Sequence, residues 1–251
     1  MKTKETLPIA DGRWPIERQN TAGFSASIAN RKSQIANRAA FTLIELLVVI
    51  SIMGILAAFT FPVLNSLNRT KNLKVATAEL NQIESALDDY KNKYGVYPPG
   101  NANSPLLSQL YYELSGTTNN GAYFVTLDGS SQIQVADVQT AYGVGGFINC
   151  SKGSGEDAQV ARPFLRDLKP NRINQYVTNN GIQTTMLVTS VGGPDQAYKP
   201  LNASGLNPFR YAYPGTNNPG SYDLWVQLVI SGKTNLSCNW NKQVLINSPL
   251  P

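Results

Sequence analysis

The sequence predicts an α+β fold in which one long N-terminal α-helix packs against a C-terminal antiparallel β-sheet. Three observations predict it. Phe41 to Leu64 is a run of 24 residues, nearly all apolar, with one ionisable side chain, Glu45, and one proline, Pro62. From Leu73 to Tyr94 apolar residues recur at alternating spacings of three and four, the pattern of a helix with one face to bury. Beyond residue 182 the chain turns to β-branched and aromatic segments bounded by Gly, Pro and Asn, which is strand chemistry.

Composition narrows the class. The chain has 251 residues, 42% hydrophobic and 15% charged, which is globular. Its net charge of +5 is concentrated at the front: residues 1–40 hold seven Lys/Arg against three acids, and the remainder holds 14 against 13. The basic balance therefore gives no reason to expect a nucleic-acid partner. A basic segment directly before an apolar span instead keeps the N-terminus cytoplasmic. There is no histidine, and the two cysteines, Cys150 and Cys238, lie 88 residues apart, without zinc-ligand spacing. Most parts of a catalytic centre are missing, so no enzyme is expected.

Residues 1–40 are polar and aperiodic. The short repeat Ile28-Ala29-Asn30-Arg31 and Ile35-Ala36-Asn37-Arg38 has too little apolar content to hold a helix alone. Residues 41–64 follow as a hydrophobic helix, and Phe41 to Phe61 reaches the roughly 20 residues that cross a bilayer core. A carboxylate inside such a span costs several kcal/mol and marks a functional site with a partner to be found. A secretory signal would have a shorter apolar core followed by small residues. Here the small residues, Ala39 and Ala40, come first, and a cut there leaves the apolar helix on the mature chain.

Residues 65–94 continue as an amphipathic helix. Leu73, Ala76, Leu80, Ile83, Leu87, Tyr90 and Tyr94 form the stripe, and Lys74, Glu79, Asn81, Glu84, Asp88, Asp89 and Lys91 form the wet face. Gly95 ends the helix and Pro98-Pro99 prevents its restart. Residues 95–251 form the head. A short helix is expected near Leu106–Leu114. Gly143–Gly146 lacks the strand-loop-helix setting of a phosphate cradle, and Arg162–Arg172 reads as a solvated helix or turn. Strands are expected at Thr184–Thr189, Phe209–Tyr213, Tyr222–Ile230 and Gln243–Ile246, forming a sheet of three or four strands over the helix stripe.

The ordered run Ala40-Phe41-Thr42-Leu43-Ile44-Glu45-Leu46-Leu47-Val48-Val49-Ile50 resembles the class III leader motif of type IV pilins and type II secretion pseudopilins. The resemblance implies a type IV pilin fold whose hydrophobic half-helix serves as membrane anchor and fibre core. It implies removal of 1–40 by a prepilin peptidase cutting between Ala40 and Phe41, and methylation of the Phe41 amine. It further implies that Glu45 pairs with the Phe41 amine of a neighbouring subunit, and that Pro62 is the helix-kinking proline. The family usually has Gly where this chain has Ala40. The structural alternative for Glu45 is a side chain that snorkels to the interface.

A second stretch, Asn207-Pro208-Phe209-Arg210-Tyr211 with Tyr213-Pro214-Gly215 and Gly220-Ser221-Tyr222-Asp223-Leu224-Trp225, is similar to the end of the major pseudopilin of type II secretion. So is Lys93-Tyr94-Gly95-Val96-Tyr97-Pro98 at the helix-to-head junction. That family carries a Gly-x-Asp-Gly loop that binds calcium. This chain has Ser231-Gly232-Lys233-Thr234-Asn235-Leu236 there, with no carboxylate, and calcium wants several oxygen ligands including carboxylates. No cofactor and no metal ligand are therefore expected. With the head outside the cytoplasm, a Cys150–Cys238 disulfide is expected, the alternative being two buried thiols.

The expected role is that of a pseudopilin: a single-pass inner-membrane precursor with cytoplasmic N-terminus and periplasmic or extracellular head, polymerising into a helical filament. Expected partners are copies of itself, the prepilin peptidase, the inner-membrane assembly platform and minor pseudopilins. Two alternatives stay open: a true type IV pilus subunit for attachment, motility or DNA uptake, and a membrane-anchored binding head that never polymerises.

Overall fold

A single helix, α1, runs Leu43–Tyr94, 52 residues. It stops where glycine was expected to stop it: Gly95 takes φ +77° and donates its N–H to the Lys91 carbonyl at 2.7 Å. The structure, a computed structural model, describes residues 41–152, 159–166, 168–191, 199–203, 205–230 and 232–247, with the side chains of 60–66 outside that set. The expectations for the leader, for Ala40 and for the Pro62 side chain fall outside the described residues. The chain divides into two units, Met1–Ile52 and Met53–Pro251.

In the second unit α1 is followed by α2 (Leu110–Ser115), β1 (Thr117–Asn119), β2 (Tyr123–Thr126), β3 (Gln132–Gln134), α3 (Val135–Tyr142) and β4 (Cys150–Ser151). Then come β5 (Ile173–Val177), β6 (Gln183–Leu187), β7 (Arg210–Ala212), β8 (Asp223–Ile230), β9 (Lys233–Cys238) and β10 (Asn241–Ile246). The last four strands form an antiparallel sheet in the order β10-β9-β8-β7. The residues of β8 alternate: Leu224, Val226, Leu228 and Ile230 join the core that holds the α1 stripe, while Trp225 packs with Leu236 and Cys238 in a separate cluster. Ala76, Leu80, Ile83, Leu87 and Tyr90 of the stripe are all buried, each large side chain contributing about 1.5–3 kcal/mol.

Strand β9 was not foreseen, because its core-facing residues are polar. Ser237 Oγ lies 2.9 Å from Thr77 Oγ1, and Arg69 Nη2 donates to Asn235 Oδ1 at 3.2 Å. The region 95–180, for which the sequence predicts a short helix and no strand, holds a second sheet in the order β3-β2-β1-β4, in which β1 and β4 run parallel. A two-stranded ribbon, β5-β6, stands beside these sheets. The helix expected near Leu106–Leu114 is α2, which is shorter and buried along most of its length. Gly143 is the left-handed cap of α3, donating its N–H to the Gln139 carbonyl.

Two buried charges fasten this added region to α1. Glu113 on α2 is fully buried. Its Oε1 accepts the Ile148 N–H at 2.9 Å, and its Oε2 accepts the Asn149 N–H and the Tyr90 hydroxyl, each at 2.9 Å. Asn149 continues the network, donating to the Glu113 and Arg162 carbonyls and accepting the Tyr94 hydroxyl. Burial pushes the Glu113 carboxyl above the ordinary carboxylate range, and the Asn149, Ile148 and Tyr90 hydrogen bonds oppose it.

The second fastening corrects two expectations. Glu79 was placed on the wet face and Arg172 in a solvated stretch, yet both are buried. Arg172 Nε lies 3.6 Å from Glu79 Oε1, and the Arg172 guanidinium also reaches Gln82 and the Glu79 carbonyl. The Glu79 carboxylate further accepts the Thr189 hydroxyl, the Ser190 N–H and the Ser190 hydroxyl. Amphipathic spacing cannot see this, since the partner segment lies about 100 residues away in the chain. The expected Cys150–Cys238 disulfide is also corrected: both are buried free thiols, Cys150 in the main core and Cys238 in the Trp225 cluster.

Candidate functional site

The candidate site is the start of α1. From Phe41 to Phe59 every side chain is exposed, and Phe41 keeps 80% of its surface. Among the described residues nothing covers this apolar surface, and an exposed contiguous apolar patch marks an interaction surface. Among the described residues no helix is long and apolar enough to cross a membrane. The span expected over 41–64 continues into residues 60–66, whose side chains lie outside that set.

Glu45 is the single charge at this end, and its geometry is local. Thr42 precedes the first helical residue and acts as N-cap, its Oγ1 accepting the Glu45 N–H at 3.3 Å. Glu45 Oε2 in turn accepts the Thr42 N–H and the Thr42 hydroxyl, each at 2.9 Å. This is a capping box, Thr-x-x-Glu, which satisfies helix donors that have no partner inside the helix. A carboxylate in the first turn also meets the positive end of the helix dipole. Thr42 is a site residue beyond those expected from the sequence, and Thr-x-x-Glu directly before an apolar run is the local signal that marks it. Among the described residues Oε1 of Glu45 meets no donor. The carboxylate can therefore accept a cation without opening the box. A cut between residues 40 and 41 leaves the Thr42 N–H, and so the box, intact.

The remaining sequence-expected residues are not gathered here. Cys150 and Cys238 belong to the head, and Ala40 and the Pro62 side chain lie outside the described residues. The calcium implied by the resemblance would meet no carboxylate in the connection that corresponds to the family's acidic loop. The corresponding connection closes as a hairpin in which Ile230 pairs with Lys233 and Gly232 takes φ +71°. In this hairpin the Asn235 side-chain oxygen already accepts Arg69. Among the described residues no cluster of three His, Cys, Asp or Glu could hold a metal ion.

Residues 35–61 match the family model for the prokaryotic N-terminal methylation motif. Over 58 residues the chain is 41% identical to the type II secretion system core protein G of Vibrio cholerae serotype O1, a match covering 23% of this chain and 40% of that protein. Over 65 residues it is 40% identical to the type II secretion system core protein G of Pseudomonas aeruginosa, covering 26% and 46%. The chain thus spans less than half the length of the curated relatives it matches. No solved structure matches it. The methylation motif laid over the capped start of an apolar helix, together with these relatives, makes the N-terminal segment of this chain similar to that of the type II secretion system core proteins G.

Proposed function

We propose that the chain is a structural fibre subunit, a pseudopilin of a type II secretion-like system, made as an inner-membrane precursor and trimmed between Ala40 and Phe41. The observation that carries this reading is the exposed apolar start of α1 with one capped carboxylate in its first turn. Lipid covers that surface before assembly, and neighbouring helices cover it afterwards. Helix packing supplies adhesion. The methylated Phe41 amine of one subunit meets the open oxygen of Glu45 on the next, and a charge pair inside an apolar bundle sets register because a misaligned carboxylate stays unpaired. A head-to-tail contact that does not close gives an open filament. Prepilin peptidase, the assembly platform and minor pseudopilins are the partners of this pathway.

The test is intact mass and N-terminal sequencing of the protein from cells with and without prepilin peptidase. A mature chain starting at N-methylated Phe41 only when the peptidase is present is the expected result. A chain that keeps residues 1–40 in both strains overturns the reading. One observation favours a second reading, that of a surface pilus subunit: the hairpin at 230–233 lacks the acidic loop of the major pseudopilin. A long external fibre in wild-type cells selects that reading, and a secretion defect on deletion selects the first.

A further inference from the structure

We propose that the seam between β3 and the β5–β6 ribbon is a binding site for a neutral, hydroxyl-rich ligand, an oligosaccharide. The seam holds a cavity of about 420 Å³, inside the roughly 300–1,000 Å³ range of small-ligand sites. Ser130, Ser131 and Gln132 border it from the β2–β3 turn and β3, and Gln175, Gln183 and Thr185 border it from β5 and β6. Each of these side chains can hydrogen-bond and none is charged.

Strand register puts the ribbon's three side chains on one face. Gln175 sits opposite Thr185, and Gln183 is two residues from Thr185 on the same strand, where side chains alternate sides. Buried hydroxyls fix the base of the cavity: Ser131 Oγ lies 2.6 Å from Thr185 Oγ1, and both residues are buried. The Tyr111 hydroxyl lies 2.7 Å from Ser130 Oγ, which also donates to Asp128. The Gln183 amide donates to the Gln175 side-chain oxygen at 3.0 Å. That bond orients both carboxamides and, among the described residues, leaves the Gln175 N–H₂ and the Gln183 oxygen open to a ligand. Gln132, exposed on β3, adds a third carboxamide, with no hydrogen-bond partner among the described residues.

These groups select by chemistry. An apolar ligand would strip water from amides and hydroxyls and return no hydrogen bonds, which is unfavourable. A charged ligand meets no free counter-charge on the lining, because the adjacent carboxylate, Asp128, accepts Thr126 and Ser130 within its own turn. A sugar hydroxyl both donates and accepts, matching a surface that offers open donors and open acceptors side by side. The cavity belongs to the head alone, and neither cleavage after Ala40 nor assembly through α1 depends on it.

Saturation-transfer NMR on the full chain, in a detergent without a sugar headgroup, tests the proposal with maltotriose, cellotriose and chitotriose as neutral probes and trigalacturonate as the charged one. The expected result is saturable transfer to at least one neutral probe, unchanged by salt because no charge pair is involved, and none to trigalacturonate. Gln175→Ala and Gln183→Ala, both at exposed positions, should each weaken that binding by roughly two- to tenfold, while Tm stays within about 2 °C of wild type. No saturable binding of any neutral probe overturns the proposal, as does tighter binding of trigalacturonate or equal displacement by glycerol. Undiminished binding in the Gln175→Ala, Gln183→Ala double variant puts the ligand elsewhere and overturns the site. If that variant melts early, Gln132→Ala takes its place in the same comparison.

Discussion

Glu113→Ala removes the acceptor on which three buried donors converge. Ile148 N–H, Asn149 N–H and the Tyr90 hydroxyl all end on this carboxylate, which is fully buried. A buried polar group left unsatisfied costs about 1–3 kcal/mol. Water entering the vacated space, and relief from burying a carboxylate, offset part of the sum. The net expected loss is about 3–5 kcal/mol, at the upper end for a single substitution. At about 2–4 °C per kcal/mol for a domain of this size, Tm falls by roughly 6–20 °C. Glu113→Gln keeps one acceptor oxygen but turns an amide N–H₂ toward an N–H donor, so it falls between wild type and Glu113→Ala.

The pH dependence has a definite sign. Burial raises the folded-state pKa of Glu113 above its ordinary value of 4.5. The protonated form therefore favours the fold, and this contribution is full below that value and lost as pH rises through the folded-state pKa. Circular dichroism melts from acid to mildly alkaline pH should show the wild type losing its advantage over Glu113→Gln as pH rises. A Glu113→Ala variant melting within about 1 °C of wild type, against the loss per unsatisfied donor used above, refutes the reasoning. An advantage over Glu113→Gln that grows with pH refutes the sign.

Glu79→Ala leaves the Arg172 guanidinium buried without its carboxylate, and a loss of about 3–5 kcal/mol is expected; the same melts measure it, and restoration in a Glu79→Leu, Arg172→Met double variant identifies the stranded charge as the cause. Gly95→Ala meets no atom within 4 Å but must hold φ +77°, so it costs about 1 kcal/mol through backbone strain alone. A Tm unchanged by that substitution would show that the helix ends differently. The two buried thiols should both react with an alkylating reagent in non-reducing denaturant and neither in the native protein; loss of both thiols with a Tm sensitive to reductant would show a disulfide instead.

What was legible in the sequence was whatever depends on near neighbours in the chain. The apolar run with Glu45, the stripe from Leu73 to Tyr94 and the stop at Gly95 are set by helical spacing and backbone conformation within a few residues. Strands β6, β7, β8 and β10 were visible because β-branched and aromatic residues bounded by turn formers need no distant partner to be noticed, although β6 pairs with β5 and not with the other three. The Thr42–Glu45 box was equally local and was missed only because the carboxylate was read for an intermolecular role.

Tertiary structure alone decided the rest. Strands β1 to β4 have two to four residues each, too short for a period to register, and β4 becomes a strand by pairing with β1 from more than 30 residues away in the chain. Glu79 and Arg172 read as solvated charges, since a charged side chain is ordinarily exposed. Both, like Glu113, are buried because donors or acceptors remote in sequence converge on them, and that convergence is a property of packing. The sequence by itself determined a capped apolar helix, its amphipathic continuation and most of the sheet that covers it. Only the folded chain determined which charges go inside, because the free energy that holds them there comes from hydrogen bonds between segments that meet only once the core has formed.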